Sequence, residues 1–193
     1  MKDTPTNWSL VAWERCIAKL DYDADIVFFG DSIVSGSDFQ KSFPEQSIIE
    51  LGLPGDSLAG MLKRTEMIRS VRPEKIFLMG GINSIINGSD KTLSQYRDLL
   101  QKIKGDNMEA ELYVMSILPI SADREKTIVT NEQIKMFNNE LQEMAIQMDV
   151  RYVDLFSLYE KEGYMNPNLT KDGVHLTEEA YEVWEEAIRE YIE

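Results

Sequence analysis

Asp25-Ile26-Val27-Phe28-Phe29-Gly30-Asp31-Ser32 is a short apolar run closed by a glycine and followed at once by two polar residues. A run without polar alternation predicts a strand buried on both faces, as in a parallel sheet covered by helices. Similar runs recur at residues 47–51, 75–79 and 111–117, with a shorter one at 151–153. Helical periodicity fills the intervals at 58–69, 93–103 and 132–148, the last carrying Ile134, Phe137, Leu141, Met144, Ala145 and Met148 on one stripe. A first helix is expected over 7–20, with Leu10, Val11, Trp13, Ile17 and Leu20 at spacings near three and four. A last one starts from a Thr177 cap and buries Ala180, Val183, Trp184, Ala187, Ile188 and Tyr191. Strands alternating with helices imply parallel strands joined by crossovers, hence a three-layer α/β/α sandwich on a five-stranded, mainly parallel sheet. No repeat or linker divides the chain, so residues 1–193 are read as one domain.

In such a sheet ligands bind beyond the carboxyl ends of the strands. Ser32, Gly55, Asn83 and His175 follow strands one, two, three and five, so all four are expected at the same edge. His175 is the sole histidine, in Asp172-Gly173-Val174-His175, and any imidazole chemistry falls to it. A serine hydroxyl becomes a useful nucleophile when a base accepts its proton, and a carboxylate three residues before the histidine can orient the ring and stabilise its cation. Ser32, His175 and Asp172 therefore read as nucleophile, base and orienting acid, a set suited to ester hydrolysis. Taken singly the signals are ordinary: Gly-Asp-Ser is a common turn, and Asn83 and His175 fit hydrogen-bonded loop positions. Their order and their placement after successive strands give them weight.

The same residues carry a resemblance. Gly30-Asp31-Ser32-Ile33, Gly52-Leu53-Pro54-Gly55-Asp56-Ser57, Gly81-Ile82-Asn83-Ser84 and Asp172-Gly173-Val174-His175-Leu176 match, in order, the four blocks of the SGNH hydrolases of the GDSL esterase/lipase superfamily. Ile33 replaces a common Leu, and Ser84 stands where many members have Asp, which bears on a supporting hydrogen bond. The resemblance implies a flavodoxin-like SGNH fold and an oxyanion hole formed by the Ser32 and Gly55 N–H groups with the Asn83 amide. Gly55 is expected to lack a side chain so that substrate can approach closely. Substrate contacts are assigned to Asp31, Ile33, Ser84, Arg124 and Val174. No Gly-x-Ser-x-Gly elbow is present, which separates the chain from the α/β-hydrolases.

Composition narrows the partners. The net charge of −14, from 34 acidic and 20 basic residues, repels phosphate backbones and anionic lipid, so neither nucleic acid nor stable membrane insertion is expected. One cysteine, Cys16, and one histidine leave no disulfide and no structural zinc site; no metal or organic cofactor is expected. No apolar run reaches the ~20 residues that cross a bilayer, and no secretory signal is read at the start, so a soluble, cytoplasmic protein is expected. The ten methionines and the Trp8 and Trp13 pair are assigned to the core.

Specificity is expected in loops 34–43, 85–92, 118–130 and 164–171, where Arg124 and Lys126 are candidates for meeting a substrate anion. Without an extended apolar lid, the acyl group is expected to be short. The ending with Tyr181 and Trp184 is similar to platelet-activating-factor acetylhydrolase-like and sialate or carbohydrate O-acetylesterase members, which implies O-acetylesterase activity on a sugar or related small ester. Two other readings stand beside it: a lysophospholipase or thioesterase acting on longer chains, and a carbohydrate-binding domain without turnover. The oligomeric state is not legible.

Overall fold

A computed structural model describes residues 7–20, 22–88, 91–125 and 129–193. In chain order the elements are α1 (Asn7–Lys19), β1 (Ile26–Gly30), α2 (Ser32–Ser35), α3 (Phe39–Ser42), β2 (Ile48–Gly52), α4 (Leu58–Lys63), α5 (Glu66–Val71) and β3 (Lys75–Met79). There follow α6 (Ile82–Ile86), α7 (Thr92–Asp106), β4 (Glu111–Met115), α8 (Ala122–Glu125), α9 (Asn131–Gln147), β5 (Arg151–Val153) and α10 (Phe156–Tyr159). A two-stranded ribbon, β6 (Glu160–Lys161) with β7 (Tyr164–Met165), precedes the last helix, α11 (Glu178–Ile192).

The five expected strands form one parallel sheet in the order β2-β1-β3-β4-β5. All five residues of β1 are buried, as an uninterrupted apolar run requires. Alternation along it divides the core. Val27 and Phe29 face a layer built with Leu58, Ile68, Leu99 and Leu141, whereas Ile26 and Phe28 face Phe39, Trp184 and Ile188. On the second face Phe28, Phe77 and Tyr113 lie in register on β1, β3 and β4, and their rings stack 4.7 and 4.5 Å apart. β1 leads outward to β2, and β2 returns past β1 to β3, so the direction of winding reverses at β1 and β3. Their carboxyl ends open the crevice where a doubly wound sheet takes its ligand.

Several sequence expectations change. The 58–69 helix is two helices, because the α4 chain stops at Arg64, whose φ of −120° is not helical. β4 ends at Met115; just beyond it the Ile117 and Ile120 backbones pair with the side chains of Asn138 and Asn131. Trp13 is 40% exposed and is not a core residue; α1 turns Cys16 inward instead. The side chain of Trp8 lies outside the described residues. Met108 and Met136, 82% and 63% exposed, are also not core residues. Among the described residues no helix is long and apolar enough to cross a membrane.

Two strand-end glycines let α2 lie directly on the sheet. A Cβ on Gly30 would come 2.5 Å from Val34 Cγ2 of α2 and 2.2 Å from the Met79 carbonyl oxygen of β3, and one on Gly52 would come 2.1 Å from the Ser35 nitrogen of α2. The obstruction at Gly52 is α2 backbone, which cannot rotate away. Gly52→Ala is therefore expected to push α2 off β2 and cost about 1–3 kcal/mol as overpacking. Thermal unfolding checks this, and an unchanged melting temperature would contradict the contact.

Candidate active site

Ser32 is the first residue of α2, directly beyond β1. Asp31 caps that helix, its Oδ1 accepting the Ile33 N–H at 3.0 Å, so the turn is fixed from the buried side. A first-turn N–H such as that of Ser32 has no acceptor within its own helix and is available to a ligand anion. Beyond β2, Leu53-Pro54-Gly55-Asp56 makes a turn closed by Asp56 N–H donating to Leu53 O at 3.1 Å. Gly55 has φ +74° there, the third-position geometry of a type II turn with Pro second. Among the described residues nothing beyond its chain neighbours lies within 4 Å of where its Cβ would stand, so the backbone conformation is a sufficient reason for this glycine.

Asn83, on α6 after β3, donates from Nδ2 to the Asp56 carbonyl at 2.9 Å and lies 3.5 Å from Asp31 Oδ2. The amide thus bridges the Gly55 turn and the Ser32 turn. Ser84 is buried, and its hydroxyl accepts the Leu58 N–H at 3.0 Å, fixing the start of α4 to α6.

The opposing side comes from the segment before α11. His175 Nε2 is 3.1 Å from Ser32 Oγ, and His175 Nδ1 is 2.7 Å from Asp172 Oδ2. Asp172 folds back through its other oxygen, which accepts the N–H groups of Val174 at 3.0 Å and His175 at 2.8 Å. Burial raises the Asp172 pKa, but these hydrogen bonds and the ring outweigh it and hold the carboxyl at about 2. It is ionised wherever an imidazolium needs a counter-charge. Gly173 makes the tight bend with φ +90°, and its carbonyl accepts the Ser121 N–H at 2.9 Å. Arg124 Nε donates to the Asp172 carbonyl at 2.9 Å, which gives this residue a place in bracing the loop. Lys126 lies outside the described residues.

Two cavities are lined by these residues or by their immediate neighbours in sequence. An open cleft of about 600 Å³ is lined by Ser32, Ser35, Gly36, Pro54, Gly55, Asn83 and His175. A second, apolar pocket is walled by Ile33, Ile82, Ile117, Leu118, Ile120 and Val174. Three of the functional side chains have an apolar wall residue next to them in sequence: Ile33 after Ser32, Ile82 before Asn83 and Val174 before His175. The 116–120 segment of the wall is held by two buried asparagines of α9. Asn138 pairs both amide atoms with the Ile117 backbone at 2.9 and 2.8 Å, and Asn131 does the same with Ile120 at 2.8 Å each way. Their spacing of seven on the buried face of α9 is the sequence signal that could have found them. Among the described residues no cluster of three or more His, Cys, Asp or Glu is placed to hold a metal.

Asp31 reaches the pocket wall from below, 1% exposed. Burial pushes its carboxyl up from 3.8 to about 6, and the nearby Asp56 adds to this against the Ile33 N–H, His175 and Arg64. A folded-state pKa above the unfolded one makes the charged form a cost. Stability contributed here therefore falls as pH rises from about 4 to 6 and stays lower above that. Asparagine keeps an acceptor for Ile33 and removes the charge. Asp31→Asn is expected to raise stability at pH 8 by on the order of 2 kcal/mol and to leave it nearly unchanged at pH 4. Urea unfolding at the two pH values measures this, and equal effects at both would contradict it.

Similarity to known proteins agrees with this geometry. A protein from Streptococcus pneumonia, described provisionally as a platelet activating factor, superposes with a TM-score of 0.82 at 25% identity, covering 97% of this chain and 95% of that one. A GDSL-like lipase from Bacteroides thetaiotaomicron superposes at 0.78 with 21% identity over 93% and 96% of the two chains, a likeness of fold. Among curated sequences, the N-acylneuraminate cytidylyltransferase of Streptococcus agalactiae serotype V is 26% identical over 128 residues, which is 65% of this chain and 30% of that protein. The match thus spans less than a third of that relative's length. Residues 28–183, which hold all four sequence blocks and the atoms described above, match the GDSL-like lipase/acylhydrolase family, and the chain belongs to that family.

Proposed function

We propose that the protein is a serine esterase that removes a short acyl group, an acetyl in the first instance, from a carbohydrate or related small ester. The observation that carries this reading is the hydrogen-bonded line from Ser32 through His175 to Asp172, set beside a small apolar pocket. Ser32 Oγ attacks the ester carbonyl carbon while His175 Nε2 takes its proton, and Asp172 stabilises the imidazolium. The carbonyl oxygen becomes an oxyanion received by the Ser32 and Gly55 N–H groups and the Asn83 amide. Collapse breaks the bond to the alcohol oxygen, which leaves with the proton from His175. Water then attacks the acyl-enzyme, gives its proton to His175, and releases the carboxylic acid as Ser32 recovers its hydrogen.

Pocket size argues for the acyl group. The apolar pocket is narrower than the cleft, which favours a methyl over a long chain. The open cleft leaves room for a sugar on the alcohol side. The name of the Streptococcus agalactiae relative points the same way, since an N-acylneuraminate is a sugar acid and part of that protein is similar to this chain.

With p-nitrophenyl acetate, butyrate and octanoate, kcat/KM is expected to fall at least about tenfold from acetate to butyrate. Ser32→Ala and His175→Ala are each expected to lower turnover by about 10⁴-fold or more without unfolding the protein. Preference for octanoate would favour the lysophospholipase or thioesterase reading. Failure of a fluorophosphonate to label Ser32 in folded protein would favour the non-catalytic binding reading. Asn83→Ala is expected to lower kcat by about 10² to 10³-fold with little change in KM, because the amide is directed at charge that develops only on attack. Steady-state kinetics check this, and a rise in KM alone would remove Asn83 from the oxyanion hole.

A further inference from the structure

We propose that Arg64 is a positioning residue for the oxyanion hole, tying the ends of β1 and β2 and the Gly55 turn to one buried guanidinium. The inference rests on the esterase reading for what the held groups do. Arg64 is 4% exposed, at the end of α4. Its Nε donates to Asp56 Oδ2 at 2.7 Å, Nη1 to the Leu51 carbonyl at 2.9 Å, and Nη2 to the Gly30 carbonyl at 2.7 Å. The face of the group lies on the Phe29 ring, 4.1 Å from its centroid.

Between them the acceptors lead to all three proposed oxyanion donors. Gly30 is two residues before Ser32, and its carbonyl also accepts the Leu53 N–H at 3.0 Å, which starts the Gly55 turn. Asp56 follows Gly55 directly. The Asp56 carbonyl accepts from Asn83 Nδ2 at 2.9 Å, so the third donor hangs on the same residue. Leu51 anchors β2 immediately before that turn. The Gly30 and Leu51 carbonyls lie at the carboxyl ends of the neighbouring strands β1 and β2, and the guanidinium donates N–H groups to both. The planar fork sends donors in three fixed directions, whereas a lysine ammonium on a flexible stem cannot reproduce that set. A packed apolar residue could fill the volume without holding any of these groups. The cation is thus placed for geometry, not for space filling.

The test compares wild type with Arg64→Lys and Arg64→Met as full chains, using p-nitrophenyl acetate kinetics and amide hydrogen exchange. Expected for a folded Arg64→Lys is a kcat lowered by about 10- to 100-fold with KM within about twofold of wild type, since misplaced donors stabilise the transition state poorly. Amides of residues 31–36 and 52–57 should exchange faster while those of β3 and β4 keep their protection. Folded Arg64→Lys and Arg64→Met with wild-type kcat and unchanged local exchange would overturn the proposal. So would loss of protection spread evenly over the sheet, the sign of a merely structural role. If wild type shows no Ser32-dependent turnover, the esterase reading fails, and the exchange pattern alone decides whether Arg64 holds the two turns. If neither variant folds, Asp56→Asn, which leaves the two carbonyl bonds of Arg64 in place, should lower kcat by a smaller factor at constant KM. Wild-type kcat in Asp56→Asn would then count against the tether.

Discussion

Burial of β1 on both faces is the constraint on which the rest depends. A strand with helices above and below offers water neither side, so its only polar business is at its ends. At the carboxyl end of β1 the chain must leave a fully apolar layer within one residue. Asp31, nearly inaccessible to solvent, accepts the Ile33 amide in the first turn of α2 and so delivers Ser32 to the surface in a fixed orientation. The glycines at 30 and 52 allow that short helix to sit against the sheet, and the stacked rings of Phe28, Phe77 and Tyr113 keep β1, β3 and β4 in register beneath it. Hydrophobic burial, which has no directional preference of its own, is converted into position by these few polar and glycine contacts.

Much of this could be read from the chain before any coordinates. Parallel strands reveal themselves as unbroken apolar runs, and the carboxyl-edge rule then places Ser32, Gly55, Asn83 and His175 together without any distance being known. What escaped the reading were polar residues that serve the backbone from inside the helical layers. Arg64 falls within an apparently continuous helical pattern and looks like surface charge; only the fold brings the Gly30 and Leu51 carbonyls to it. Asn131 and Asn138 look like ordinary helix polarity until the 116–120 segment is seen lying against them. Periodicity also overstated the core contribution of α1, since a single helix across one sheet edge buries one narrow stripe around Cys16 and leaves Trp13 and Ile17 partly in water. Gly55 was legible as necessary for close substrate approach, and its backbone angle adds a reason that the chain alone does not show.

The two halves of the site have different mechanical origins. Ser32, Gly55 and Asn83 rise from strand ends set in the core and cross-linked among themselves. His175 and Asp172 belong to a surface loop, with side chains 49% and 40% exposed, held by internal turns and by Ser121 and Arg124. Such loops open at lower free energy than strands buried in a sheet. The line between Ser32 and His175 therefore spans the boundary between a strand-anchored part of the molecule and a surface loop.

The apolar pocket adds a constraint on how this protein can change. Ile33, Ile82 and Val174 each share a peptide bond with a residue assigned to the chemistry, so reshaping the wall there disturbs the reacting atoms. Ile117, Leu118, Pro119 and Ile120 carry no such neighbour, and their backbone hangs from two asparagine side chains on α9. A lineage under selection for a different acyl length would find its freedom in that one stretch, where selectivity can drift while the reaction centre is inherited intact.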